Sequence, residues 1–433
     1  MLLAILASLS WQKRKLQQSI GKLYIEILSQ RFFVNGDYSL DMLQSLLIYI
    51  TWYQFHIKLP GHQPYRLASL AVTILLELGL DKKPREFQLQ QAVSDSNHSS
   101  HLVDPARPDS WSAEARRAVI GCYHVAAYTS ISYRRLNLMS AVTCVEEMAT
   151  SLVADKDQPS DSYLVSQIQM MRVVEEMRNT FDYYGTRSPE KVLSEGRIQA
   201  YGQVFTAKLN TIKARIQTTS YPTYLRCLYH LADMCLYEVG LYGFHKNSNA
   251  SLTRVSLLLD FLESCRLYME LVMVSTKEEM RPWTFFDWRQ LNFALITTNQ
   301  VIVALDPSIT TAETVTRLTV LVGYLEWAGI RVREVYALDD TRERHFEGLE
   351  HLTSLWEATK SWCESLLARA TTAQQAPELP QHQVWPAYAN MAPNMPAPAL
   401  STPHFEDFTA QTANSMDIWS DSGFWWQPNT MPQ

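Results

Sequence analysis

Apolar side chains recur at helical spacing along most of the chain. In residues 40–57 they share one helix face, at Leu40, Leu43, Leu46, Leu47, Ile50 and Tyr53. After Pro60-Gly61 the pattern restarts, at Leu67, Leu70, Ala71, Ile74, Leu75 and Leu78. Gly79 suits the left-handed position after the last turn, and Leu80 would then pack back on Leu75 in a Schellman ending. The pattern predicts two antiparallel helices joined by a short loop.

The same periodicity predicts further helices. They cover residues 112–133, 160–182, 197–216, 222–243, 252–275, 283–305, 312–338 and 342–369. Pro222, Pro282 and Pro307 fall between these stretches, where proline is tolerated. Pro159 precedes another, and Ser160 or Asp161 would cap it. Because the chain has only 14 glycines in 433 residues, the pattern predicts an all-α fold over residues 1–369, as an irregular multi-helix bundle or a solenoid-like domain.

Two segments need separate treatment. Residues 84–111 are polar and rich in serine, which predicts a mobile loop. The first ten residues resemble a short signal peptide, but they lack a basic start and are followed by Lys13-Arg14-Lys15 without a clear cleavage site. We therefore expect a buried helix there. No stretch contains the ~20 mainly apolar residues of a membrane helix, so we expect no membrane association.

The last part of the chain, residues 370–433, has a different composition. It contains nine prolines, five acidic residues, eight aromatic residues and no Lys or Arg, which predicts a disordered tail. Acids alternate with large rings, as in activation segments that bind a coactivator groove through a short amphipathic helix. The candidate coactivator contacts are Phe405, Phe408, Trp419, Phe424, Trp425 and Trp426. The alternatives are an ordinary tail, or one that folds back on the helical body.

Charge and cysteine spacing restrict the chemistry. Outside the tail the chain has 38 basic and 39 acidic residues, and this near-neutral balance does not predict direct DNA binding. No two of the six cysteines lie two or three residues apart, so the sequence offers no close-spaced metal pair. We expect core thiols, no metal and no cofactor.

Several short motifs, in order, resemble one family. They are Leu67-Ala-Ser-Leu-Ala-Val-Thr-Ile-Leu-Leu-Glu-Leu-Gly-Leu80, Ser112-Ala-Glu-Ala-Arg-Arg117, Cys122-Tyr123, Ser130-Ile-Ser-Tyr-Arg-Arg-Leu136, Glu146-Glu147, Pro159-Ser-Asp-Ser-Tyr-Leu-Val165, Leu236-Tyr-Glu-Val-Gly-Leu241 and Pro282-Trp-Thr-Phe-Phe-Asp-Trp288. Their order is similar to the fungal-specific transcription factor domain, the middle homology region that follows binuclear zinc clusters. The resemblance covers most of residues 1–340. It implies an all-α regulatory domain of a nuclear regulator, often of a metabolic pathway.

The sequence departs from the family in two places. Ala126-Ala127-Tyr128 stands where family members usually carry an aspartate-arginine pair, which leaves the subfamily open. No residues match the family's zinc ligands, so we expect a regulator that acts without its own DNA-binding module, or alternatively a fragment of a longer factor. Its partners would be transcription coregulators or a DNA-binding partner chain.

The arginines of these motifs form a candidate regulatory surface. It consists of Glu114, Arg116, Arg117, Arg134 and Arg135. The alternative is structural: an acidic residue in the first turn favours the helix dipole, and the arginines pair within the fold.

Two other functions remain as alternatives. Trp, Tyr and Met side chains could line an apolar pocket for a small-molecule effector, or they could simply be core. Asp339, Asp340 and Glu343 resemble the aspartate-rich metal motif of a helical enzyme. Arginines interrupt that run, however, and no second metal motif appears. We therefore predict a transcription regulator and not an enzyme.

Overall fold

The computed structural model describes nine segments of the chain. They are residues 1–56, 63–82, 109–133, 135–181, 194–217, 222–241, 251–307, 309–336 and 346–375. Within these segments there are fourteen α-helices and no strand, which confirms the all-α prediction. In chain order they are α1 (Leu2–Leu9), α2 (Arg14–Ser29), α3 (Leu40–Thr51), α4 (Gln63–Glu77), α5 (Ala113–Tyr133), α6 (Val145–Asp155), α7 (Leu164–Phe181), α8 (Glu195–Gln217), α9 (Thr223–Tyr237), α10 (Leu252–Met273), α11 (Lys277–Met280), α12 (Phe285–Leu305), α13 (Ala312–Tyr336) and α14 (Glu347–Gln375).

Local sequence signals account for several helix ends. Ser39 begins α3, because its side-chain oxygen accepts a hydrogen bond from the Met42 amide at 3.2 Å. Gly79 ends α4 in the left-handed conformation, with φ +67°. The Leu80 amide donates to the Leu75 carbonyl at 3.2 Å and the Gly79 amide to the Leu76 carbonyl at 2.9 Å. These two bonds define the predicted Schellman ending.

Most helices pack against their neighbours in the chain, in pairs such as α9 with α10 and α13 with α14. Two helices, α5 and α12, are buried on nearly all sides and lie inside the hydrophobic core. Longer-range packing joins α12 to α3, and α14 to the short 3-10 turn Tyr53–Phe55. The arrangement is an irregular helical bundle.

The observed bounds differ from the predicted ones at identifiable places. The pattern does not predict helices α2 and α6 or the short helix α11, and α14 continues to Gln375, past the expected end at residue 369. A 3-10 turn, Pro159–Tyr163, precedes α7, and the Asp161 carboxylate in it binds an arginine of another helix. The first helix, α1, is only half buried, since Ala4 is fully covered while Leu2 is 69% exposed.

Several predictions fall outside the described residues. The expected mobile loop at 84–111 is described only from residue 109, and the expected tail at 370–433 only to residue 375. The six candidate coactivator contacts therefore lie outside the described residues, as does Arg134. Their roles stay predictions.

Candidate functional site

The second turn of α5 carries the two arginines of the candidate regulatory surface. Helix α5 begins after Ser112, whose hydroxyl oxygen accepts a hydrogen bond from the Ala115 amide at 3.2 Å. Glu114 lies in its first turn, where an acidic side chain is favoured by the helix dipole. This start places Arg116 and Arg117 at the edge where α5 packs against α6.

Arg116 is buried and binds α6. Its guanidinium donates to the Ser151 hydroxyl and to the Asp155 carboxylate, both at 2.6 Å. Ser151 and Asp155 are four residues apart and therefore share one face of α6. The Trp111 ring covers the other side of the guanidinium, with its centroid 5.9 Å away. Only 7% of Arg116 is exposed, so it fixes the packing of α5 on α6 and presents little charge to solvent.

Arg117 binds the connection between α6 and α7. Its guanidinium donates to both carboxylate oxygens of Asp161, at 3.3 and 2.6 Å, and to Asp157 at 2.8 Å. The bond to Asp161, and to a lesser extent the bond to Asp157, raises the pKa of Arg117 above its ordinary value. Asp161 is only 4% exposed, and a carboxylate buried this way requires a charge partner. We name the cluster of Arg116, Arg117, Asp155, Asp157 and Asp161 the arginine clamp.

The structure does not gather the four described residues of the candidate regulatory surface, Glu114, Arg116, Arg117 and Arg135, into one surface. Glu114 accepts a hydrogen bond from Gln44 of α3 at 2.9 Å, away from the arginine clamp. Arg135 is exposed beyond the end of α5, and its amide donates to the Ser130 carbonyl at 3.0 Å. These contacts agree with the structural alternative for Glu114, Arg116 and Arg117, and a regulatory role for them stays a prediction. Sequence reasoning missed the pairing of these arginines with Asp155, Asp157 and Asp161, and it assigned Asp161 only a possible capping role.

Among the described residues, a small cavity of about 20 Å³ lies in the aromatic interior. Its lining includes Tyr128, Phe286 and Arg289. The Arg289 guanidinium donates to the Ser132 carbonyl at 3.0 Å and lies 5.7 Å from the centroid of the Tyr133 ring. Burial lowers the pKa of Arg289 to about 10. A cavity of this volume holds about one water molecule, so it is too small for the apolar effector site that the sequence suggested.

The large aromatic side chains behave as core. The Trp288 indole donates to the Tyr336 hydroxyl at 2.8 Å, and the Trp356 indole donates to the Asn292 side-chain oxygen at 3.0 Å. Both tryptophans are at most 1% exposed. Buried tryptophans need such partners for their N–H groups. The Trp and Tyr content is therefore explained by packing at these positions.

A larger, polar groove lies between α7 and α8 and has a volume of about 580 Å³. It is lined by Ser140, Arg172, Glu175, Glu176, Asn179, Thr180, Arg197 and Tyr201. Glu175 accepts hydrogen bonds from the Tyr123 hydroxyl and the Asn137 amide, both at 3.3 Å. Burial raises the pKa of Glu175, and the neighbouring Arg172 opposes that shift. A groove of this volume and lining has room for a small polar molecule.

The described residues give little support to other chemistry. Among them no group of three or more His, Cys, Asp or Glu side chains is placed to hold a metal ion. All six cysteines are buried free thiols. The acidic run Asp339, Asp340 and Glu343 lies outside the described residues. Of the helices that the structure describes, none combines the length and apolar character needed to cross a membrane.

Comparison with known proteins gives one family. Residues 2–172 match the model of the fungal specific transcription factor domain. The chain is 23% identical to the transcription factor himD of Aspergillus japonicus over 329 residues, which is 71% of this chain and 50% of that protein. It is 26% identical to the transcription factor opdL of Penicillium oxalicum (strain 114-2 / CGMCC 5302) over 227 residues, which is 50% of this chain and 38% of that protein. The chain thus spans at most about half the length of the curated relatives it matches. No solved structure matches it.

Proposed function

We propose, on the premise that residues 2–172 belong to the fungal specific transcription factor domain family, that this chain regulates transcription in the nucleus. Both curated relatives are named transcription factors. The target genes would belong to a metabolic pathway, such as one that makes secondary metabolites. The role in a metabolic pathway rests on the family resemblance.

The chain would act by binding other proteins of the transcription machinery. Its described part is a helical body in which Arg116 and Arg117 are engaged internally, by Asp155 and Asp161. Such a body holds a fixed arrangement of helix surfaces, on which coregulators or a DNA-binding partner chain can dock. We expect no direct DNA contact from these residues, because basic and acidic residues outside the tail are nearly equal in number. No catalytic activity is proposed.

The test is recovery of partners from native cells. The full chain, carrying an affinity tag, is expressed at its natural level, and proteins bound to it are identified from nuclear extract by mass spectrometry. We expect a coregulator or a DNA-binding chain, enriched over an unrelated nuclear protein of similar size and charge. A well-expressed chain that stays outside the nucleus and enriches no transcription protein would contradict the proposal.

The alternative function is sensing of a small molecule, and the groove between α7 and α8 is the observation that favours it. Two arginines, Arg172 and Arg197, and two glutamates, Glu175 and Glu176, line it. This lining fits a small polar molecule that carries both charges, such as an amino acid, better than the apolar effector that the composition suggested. The candidate ligand site of the sensor alternative is therefore this polar groove and not an aromatic pocket.

A thermal-shift experiment tests this alternative. A ligand that binds only the folded chain raises its melting temperature. We expect a metabolite of this class to raise it in the wild type and not in Arg197→Gln, whose side chain lines the groove. Arg135→Gln, at an exposed arginine elsewhere, is the control. If no amino acid or related zwitterion changes the melting temperature at millimolar concentration, the sensor alternative fails.

A further inference from the structure

The first two helices expose an unusual amount of apolar surface. Of the 21 large hydrophobic side chains that are exposed among the described residues, nine lie in the first 34. Leu2, Leu6 and Leu9 follow the helical repeat on α1, and Leu16, Leu23 and Ile27 do so on α2. Each helix therefore has an apolar stripe that faces solvent, and α1 packs directly against α2. We name these six residues the α1–α2 stripe.

The surroundings of the α1–α2 stripe are basic. Residues 1–41 contain five Lys or Arg and three acidic residues, of which Asp37 pairs with Arg31 and Asp41 with the terminal amine of Met1. Lys13, Lys15 and Lys22 are exposed on or beside α2. Lys22 lies 3.7 Å from Glu26 in an exposed ion pair. Such a pair contributes little to stability and is easily exchanged for another partner. A segment that brings both large apolar rings and carboxylates would match this surface.

We infer that the acidic-aromatic segment 405–426 of the same chain docks on the α1–α2 stripe. This segment contains four acidic residues, six Phe or Trp residues and no Lys or Arg. Its rings would cover the leucines of the α1–α2 stripe, and its carboxylates would lie near Lys13, Lys15 and Lys22. Apolar contact supplies the affinity, and the opposite charges set the orientation.

The length of the intervening chain allows this contact. The beginning of α14 lies near α2, because the Arg14 guanidinium is 4.9 Å from the centroid of the Phe346 ring. Helix α14 contains 29 residues and is therefore about 43 Å long. The 30 residues from 376 to 405 can span about 100 Å when extended. The segment can thus return along the whole of α14 to the α1–α2 stripe.

Docking would have a regulatory consequence, and this consequence rests on the proposed function. The rings Phe405, Phe408, Trp419, Phe424, Trp425 and Trp426 are the candidate coactivator contacts. A ring that covers the α1–α2 stripe cannot enter a coactivator groove at the same time. Docking and coactivator binding would therefore compete, and the docked chain would be the inactive form.

Zero-length carbodiimide crosslinking of the full chain tests the docking itself. The reagent joins a lysine to a carboxylate only when the two are in contact, and mass spectrometry identifies the linked peptides. We expect Lys13, Lys15 or Lys22 to be linked to the acids of segment 405–426, at least fivefold above Lys277. Lys277 is an exposed lysine on α11 and serves as the internal control.

Matched variants make the result specific. In Leu16→Glu/Leu23→Glu the two leucines, 47% and 44% exposed, become acidic, and the crosslink yield should fall at least fivefold. Val320→Glu, at a position 45% exposed on α13, should leave the yield unchanged. Equal linking to Lys277, or unchanged yield in the double variant, would overturn the inference. Links that form only between isotopically distinct copies would also overturn it, since the occupant would then be a second chain. No transcription readout is involved, so the docking and the proposed function can fail separately.

Discussion

Replacement of Arg117 by glutamine tests whether the arginine clamp stabilises the fold or is an exposed regulatory surface. In the wild type this arginine compensates the buried carboxylate of Asp161, at 2.6 Å, and contacts the exposed Asp157 at 2.8 Å. In Arg117→Gln the Asp161 carboxylate, 5% exposed in its side chain, loses its cation.

The magnitude follows from the burial of the two partners. Removal of one partner of a buried ion pair costs about 3–5 kcal/mol, because the other charge stays buried. The arginine side chain is 31% exposed, so water screens part of this loss, and Asp157 adds less than about 1 kcal/mol. We expect Arg117→Gln to lower the free energy of unfolding by about 3 kcal/mol.

Urea unfolding followed by circular dichroism measures this value, and a double-mutant cycle isolates the pair. Asp161→Asn removes the buried charge, so Arg117→Gln/Asp161→Asn should be less destabilised than the sum of the single variants, by about 1.5–3 kcal/mol. Arg135→Gln is the matched control and should change stability by less than about 0.5 kcal/mol. A destabilisation of Arg117→Gln no larger than the control, or a coupling energy near zero, would refute the structural account.

Three further predictions concern a glycine, an indole and a histidine. Gly79→Ala should lower the free energy of unfolding by about 1 kcal/mol, because φ is +67° at this position. Gly202→Ala, in an open position of α8, should instead raise it by about 0.5–1 kcal/mol. Urea unfolding of both variants checks these opposite signs. Trp356→Phe should cost about 2 kcal/mol, since Asn292 loses its 3.0 Å donor; an unchanged unfolding midpoint would contradict this. Burial lowers the pKa of His124 to about 4, so below pH 6.5 the unfolded chain binds a proton that the folded chain does not. This histidine should therefore lower the free energy of unfolding by about 1 kcal/mol per pH unit between pH 6.5 and about pH 4. Unfolding measured at a series of pH values should show a shallower fall for His124→Gln than for the wild type.

The helices could largely be predicted from sequence because their signals are local. The Schellman ending at Gly79 follows from one glycine and the leucines on either side of it. The beginning of α9 just after Pro222 follows from the ring of that proline, which fixes its own φ. The apolar pattern predicts helices α5 and α12. It does not predict that they lie in the centre of the core, because a helix that is apolar on all sides has no preferred face.

The candidate site could be predicted only in part. The arginines of the clamp were identified, but Asp155 and Asp161 lie 39 and 44 residues from their partners, and no local pattern specifies such a pairing. The sequence predicts Ser160 or Asp161 as the cap of a helix. Tertiary packing uses the Asp161 carboxylate for Arg117 instead, because a charged partner stabilises a buried carboxylate more than an amide does.

Tethering the chain to a promoter tests the central claim, that it regulates transcription, most directly. The full chain is fused to a heterologous DNA-binding module, and a reporter with the matching site is measured in a fungal host. The account predicts a several-fold change in reporter output relative to the module alone, with Leu16→Glu/Leu23→Glu giving a larger change because the tail is released. Reporter output equal to that of the module alone, from fusions that are nuclear and equally abundant, would contradict the claim.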